Sequence, residues 1–168
     1  MDISGPDKRK EAEFLHLIKE HQSIIHKTCF MFCRNHSDKD DLYQEITLQL
    51  WKSFSSFKGQ AAFSTWMYRV ALNTAITMAK KPNLVSVSDE ISALPYEMEN
   101  TLDYAEDVKI LYKAIAQLSR VEKGIILLWL EEKSYEEIAE TMGISVKNVS
   151  VKLVRIKAKL SEIINKIK

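Results

Sequence analysis

Between Ser134 and Ile167 the chain carries a pattern that little other than two angled helices can satisfy. In Tyr135-Glu-Glu-Ile-Ala-Glu-Thr-Met-Gly-Ile-Ser-Val-Lys-Asn-Val149, Ala139 is small where two helices cross closely, and Gly143 sits where the chain must reverse direction. Ser145 then caps the helix that follows. On a helical wheel Leu153, Ile156, Leu160, Ile163 and Ile167 fall within about 40° of Val149, so this helix buries one stripe. The other side carries Lys147, Asn148, Val151, Lys152, Arg155 and Lys159. Lysine and arginine neutralise phosphate, and Asn148 and Arg155 are suited to paired hydrogen bonds with base edges. A basic helix face taken alone is equally well read as solvated surface. The turn ahead of it tips the balance, because the basic face starts where the recognition helix of a helix-turn-helix would start.

The remainder is also helical in pattern, with four glycines, three prolines and apolar residues at helical rather than alternating spacing. A first helix is predicted from Glu11 to about Asn35, with Phe14, Leu17, Ile18, Ile24, Ile25 and Phe30 on its apolar side. Ser37 and Asp38 are expected to cap a second helix ending near Phe54. A loop containing Gly59 leads to a third helix from Phe63 to about Lys80, which Pro82 ends. Four more are predicted over Tyr104–Leu118, Val121–Leu130, Ser134–Met142 and Ser145 to about Ile167. The expected fold is all-α: two small bundles, residues 1–81 and 104–168, joined by a flexible acidic linker, 82–103. Charge divides along the same joints, +2 over residues 1–80, −6 over 81–107 and +5 over 108–168.

The second predicted helix has two sides that want different partners. Leu42, Ile46, Leu50 and Phe54 span about 120° of its circumference, enough for a core. Asp41, Gln44, Glu45, Leu48 and Trp51 occupy the opposite arc, and a leucine and a tryptophan among carboxylates and an amide are the mixture of a protein interface. The blander possibility is that Trp51 packs on the first helix. On the third helix Phe63, Trp66, Met67, Val70, Ala71, Thr74 and Met78 share one face, making Trp66 a core residue, while Thr65, Arg69, Asn73, Ile76 and Lys80 share the other. Arg69 and Asn73, with the loop residues Phe57, Lys58 and Gln60, have the chemistry to engage phosphates and unstacked bases.

Other functions find little support. The 46% hydrophobic, 28% charged composition lacks any apolar run long enough to cross a bilayer, and the polar start, Met1 to Glu13, does not resemble a signal peptide. A cytoplasmic protein without membrane insertion is expected. Cys29 and Cys33 are too few for a disulfide framework. With His26 and His36 they would span about 15 Å of one helix, too far for one tetrahedral ion, so burial as small apolar residues is expected and no metal or other cofactor is called for. Four scattered glycines form no phosphate-cradling loop, and no catalytic grouping of Ser, His and Asp stands out, so the chain is not expected to be an enzyme.

Two segments carry a resemblance. Asp40-Asp-Leu-Tyr-Gln-Glu-Ile-Thr-Leu-Gln-Leu-Trp51, followed by Phe63-Ser-Thr-Trp-Met-Tyr-Arg-Val-Ala-Leu-Asn73, resembles region 2 of the extracytoplasmic-function (group IV) sigma factors in the sigma-70 superfamily. Leu118-Ser-Arg-Val-Glu122 and the helix-turn-helix through Leu160 resemble region 4. The resemblance implies a non-enzymatic specificity subunit of core RNA polymerase, with an anti-sigma factor as a further partner. In it, Asp41, Gln44, Glu45, Leu48 and Trp51 dock on the coiled coil of the largest polymerase subunit. Phe57, Lys58, Gln60, Arg69 and Asn73 recognise and hold open the minus-10 element, and Lys147, Asn148, Val151, Lys152 and Arg155 read minus-35 duplex while the same module touches the polymerase flap. The acidic linker would thread near the active-site channel. The family often has Thr-Val-Lys-Ser-Arg-Leu in the recognition helix, where this chain has Asn148-Val-Ser-Val-Lys-Leu153, a departure that leaves the helix type intact and the exact base preference open. A stand-alone helix-turn-helix regulator, with the first bundle sensing or dimerising, is the competing reading.

Overall fold

The computed structural model describes residues 6–78 and 105–168, so the expected linker, 82–103, lies outside the described residues. Within them are eight α-helices: α1 (Pro6–Glu20), α2 (Gln22–Phe32), α3 (His36–Ser53), α4 (Phe63–Met78), α5 (Glu106–Ile115), α6 (Arg120–Leu130), α7 (Tyr135–Met142) and α8 (Val146–Ile167). One 3₁₀ turn, Phe54–Ser56, follows α3.

The single first helix expected from Glu11 to Asn35 is two helices, hinged at His21, whose backbone leaves the helical region at φ −110°, ψ 17°. Its ring packs on Phe63 with centroids 5.1 Å apart. A one-residue break leaves Phe14, Ile18 and Ile25 in phase, which is why periodicity did not reveal it. The cap of α3 also differs from expectation. Asn35, not Ser37 or Asp38, is the N-cap, its side chain accepting from the Asp38 N–H at 2.8 Å.

Helices α1 to α4 enclose one part of the core, in which Ile25, Cys29, Ile46, Leu50 and Met67 are fully buried. Helices α5 to α8 enclose another around Ile125, Leu128, Ile138, Val149 and Leu153. Truncating any isoleucine, leucine or methionine among these to alanine should cost about 2–5 kcal/mol, because the cavity left behind adds to the lost transfer energy. The two bundles expected from the sequence pack against each other, an arrangement the sequence left open: α2 and α4 lie against α6 and α7, and the buried apolar residues form one continuous cluster. Gly124 lies at this seam: a Cβ there would stand 3.2 Å from Cε of Met142 in its own module and at an ordinary contact distance, 3.7 Å, from Cδ2 of Leu72 across it.

Candidate functional site

Local signals place each functional side chain. Ser134 and Glu137 form a capping box at the start of α7, with both hydrogen bonds at 3.1 Å, and Gly143 ends that helix in the left-handed region at φ 69°. Ser145 Oγ then accepts from the Asn148 N–H at 3.1 Å, fixing the first turn of α8 and leaving the Asn148 side chain outside. Val149, Leu153, Ile156 and Leu160 are buried as expected, with Ile163 and Ile167 partly so. Lys147, Asn148, Val151, Lys152 and Arg155 are all exposed along the opposite side. Lys159 is drawn away from that group: its ammonium bonds Glu122 Oε1 at 3.0 Å, tying α8 to α6.

Burial pushes the Glu122 carboxyl up, but the Ser119 N–H, the Lys159 ammonium and the Ser119 hydroxyl outweigh it and hold the group below its ordinary value. A surface feature that sequence reasoning missed lies beside them. Lys157 stands over the ring of Trp129 at 4.4 Å, with Trp129 still exposed, a pairing that no local periodicity announces.

On α3 the inner arc of Leu42, Ile46, Leu50 and Phe54 is buried and the outer arc is not. Asp41 and Gln44 are exposed, Glu45 is half-buried and accepts from Gln49 at 2.9 Å, and Leu48 and Trp51 are 44% and 38% exposed. Trp51 does pack on the first helix, and that packing leaves it partly exposed. Its ring meets Phe14 of α1 edge-on at 5.0 Å, and its other surface is open.

The loop before α4 turns at Gly59, φ 73°, with Lys58 and Gln60 exposed. Phe57 is less free than expected: its ring lies against Phe63 at 5.4 Å and Trp66 at 5.3 Å, joining the loop to α4. Trp66 is partly buried against the core as expected. Arg69 and Asn73 are exposed on α4 one turn apart. The neighbouring strip of the same helix, Tyr68 and Leu72, is buried under the second module. Lys133 lies over the Tyr68 ring at 5.7 Å, and burial and the hydrogen bond to Glu131 push the Tyr68 hydroxyl well above its ordinary range. Glu131 also accepts from Lys27 of α2 at 2.6 Å, so one carboxylate joins α2, α4 and α6.

Cys29 is buried and Cys33 partly so, and burial pushes the Cys33 thiol up to about 12, as expected of an inert core thiol. His26 stacks on Tyr43 at 5.2 Å. Among the described residues no group of three His, Cys, Asp or Glu side chains is placed to hold a metal, and no helix is long and apolar enough to cross a membrane.

Comparisons with known proteins match this layout. Sigma-70 region 2 matches residues 17–83, and sigma-70 region 4 matches residues 109–160. The ECF RNA polymerase sigma-E factor of Escherichia coli (strain K12) is 32% identical over 133 residues, 70% of this chain and 69% of that one. RNA polymerase sigma factor SigV of Bacillus subtilis (strain 168) is 26% identical over 139 residues, 82% of each chain. The sigma factor RpoE from Bartonella quintana, solved in complex with the anti-sigma factor NepR, superposes with a TM-score of 0.72 at 17% identity, covering 91% of this chain and 97% of that one. CnrH, solved with the cytosolic domain of CnrY, superposes at 0.63 and 19% identity over 94% and 91%. With regions 2 and 4 both matched in order and the same fold across nearly its whole length, this chain belongs to the extracytoplasmic-function group of the sigma-70 family of RNA polymerase sigma factors.

Proposed function

We propose that the chain directs promoter-specific initiation by docking on core RNA polymerase through the outer face of α3 and reading a promoter at two places. The observation that carries this reading is the spare surface on both modules: folding leaves Asp41, Gln44, Leu48 and Trp51 open on one, and Asn148, Val151, Lys152 and Arg155 open on the other. A stand-alone regulator would use the first surface as a dimer seam, and the matches to both sigma-70 regions in order do not favour that reading. The acidic and apolar mixture on α3, with Glu45 at its edge, suits the coiled coil of the largest polymerase subunit, where Leu48 and Trp51 are the anchors and the carboxylates set the orientation.

Melting involves no covalent step by this chain. Phe57, Lys58, Gln60, Arg69 and Asn73 trap bases and phosphates of the minus-10 element as the duplex opens, offsetting a few kcal/mol of unstacking per base. On α8, Lys147 and Lys152 neutralise phosphates, Asn148 and Arg155 hydrogen-bond base edges, and Val151 offers an aliphatic contact to a thymine methyl group at the minus-35 element. The same module touches the polymerase flap. The acidic segment around 82–103 enters the active-site channel, where its charge stands in for RNA, and in the cytoplasm an anti-sigma factor holds the protein away from polymerase. Support for that last partner comes from the Bartonella quintana relative, which was solved with one.

Two elements centred about 25 base pairs apart lie roughly 85 Å apart along B-form DNA. The packed arrangement of α2 and α4 on α6 and α7 must therefore open before both are read. Transcription in vitro with purified core polymerase on a genomic fragment library tests the function. Initiation confined to fragments sharing a two-part motif is the expected result; tight sequence-specific duplex binding without polymerase, and no initiation, would favour the regulator.

A further inference from the structure

Most of helix α1 lies ahead of the sigma-70 region 2 match, which begins at residue 17, yet it reaches the face that the match accounts for. Phe14 is 4% exposed, and its ring meets Trp51 edge-on at 5.0 Å and Phe54 at 5.2 Å. Lys10 lies over the same indole, its ammonium 5.4 Å from the ring centroid, and is itself tethered by a hydrogen bond to the Ser55 hydroxyl just past the end of α3. The Trp51 indole is thus held by an aromatic ring and by a cation over its ring, both from α1, while the residue stays 38% exposed. An indole on a bare helix face would sample several rotamers, and a partner would have to order it on binding.

We propose that Lys10 and Phe14 are positioning residues for polymerase docking: α1 holds the Trp51 indole in its binding orientation before core polymerase arrives. This rests on the reading of the α3 face as the polymerase surface. Lys10 acts through Trp51 and contributes nothing to docking once the indole is gone. Holding one aromatic side chain in advance improves affinity by about threefold to tenfold, and a partly exposed cation over an indole supplies about twofold to fivefold of that.

The test is a double-mutant cycle on the full chain, with affinity for purified core polymerase as the readout and thermal unfolding as the control for folding. Lys10→Met keeps the aliphatic stem and removes the charge. It should weaken core binding about threefold at an unchanged unfolding midpoint, have no effect in a Trp51→Ala background, and be rescued by Lys10→Arg. Phe14→Leu should weaken binding in the same non-additive way, and Lys10→Met carries the test if that variant folds poorly. Unchanged affinity of Lys10→Met, or losses that simply add to those of Trp51→Ala, overturns the positioning role while leaving the docking face standing. Wild-type affinity of Trp51→Ala itself removes the docking face, and the positioning role with it.

Discussion

Glu122 illustrates how much one side chain can hold at the edge of the second module. Its backbone N–H and its carboxylate exchange hydrogen bonds with Ser119 at 3.2 and 3.0 Å, closing the start of α6, and the carboxylate also takes the Lys159 ammonium. A carboxyl held below its unfolded value stabilises the fold above that value, 4.5 here, and loses the contribution as pH falls through the lower folded value. Glu122→Gln should therefore lower unfolding free energy by about 1 kcal/mol near pH 6, a difference that shrinks as pH falls below 4.5; urea unfolding across that range measures it, and a constant difference would contradict it. Residues of this kind were legible where the signal is local. Ser145 and Gly143 were placed from sequence because a cap and a reversal have few candidates. The cap of α3 was misplaced because Asn35, Ser37 and Asp38 all have capping side chains within four residues, and propensity does not choose among them.

Helices show the same division between what is local and what is imposed from outside. The two faces of α3 and of α8 follow from one-dimensional periodicity, and burial agrees with them apart from Glu45, half-buried on the outer arc, and Ile163 and Ile167, only partly buried on the inner stripe. On α4 the expected inner face is only part of what is buried, because Tyr68 and Leu72 are covered by a module that is remote in sequence. The seam that covers them converges on Glu131, which bonds Lys27 and Tyr68. With 44% of the Lys27 side chain exposed, that ion pair is worth about 0.5–1 kcal/mol after solvent screening. Reversal is more disruptive than loss, since it sets two ammonium groups together and leaves the Tyr68 hydroxyl without its acceptor. Glu131→Lys should shift the population toward separated modules, seen as a larger radius of gyration by solution X-ray scattering and as smaller changes at 0.5 M salt, where the repulsion is screened. An unchanged radius would mean that the apolar contact around Gly124 and Leu72 holds the seam alone.

Across the whole molecule, the fold class, the order of the two modules and the positions of the candidate binding faces were readable in the sequence, because each depends on patterns within about twenty residues. The packing of one module on the other was not, since it joins Lys27 to Glu131 and Phe30 to Tyr112 across the intervening chain. The proposed function divides its labour between the open face of α3 and the open face of α8. Its most direct test pairs Trp51→Ala with Arg155→Ala in the full chain, measuring affinity for core polymerase and, with the resulting holoenzymes, occupancy of a minus-35 element in duplex DNA. Trp51→Ala should weaken core binding by at least tenfold, whereas Arg155→Ala should bind core normally but lose about 1–3 kcal/mol of minus-35 affinity and about one unit of its salt slope. If either substitution impairs both activities equally in stably folded protein, the two faces are not separate and the account is wrong.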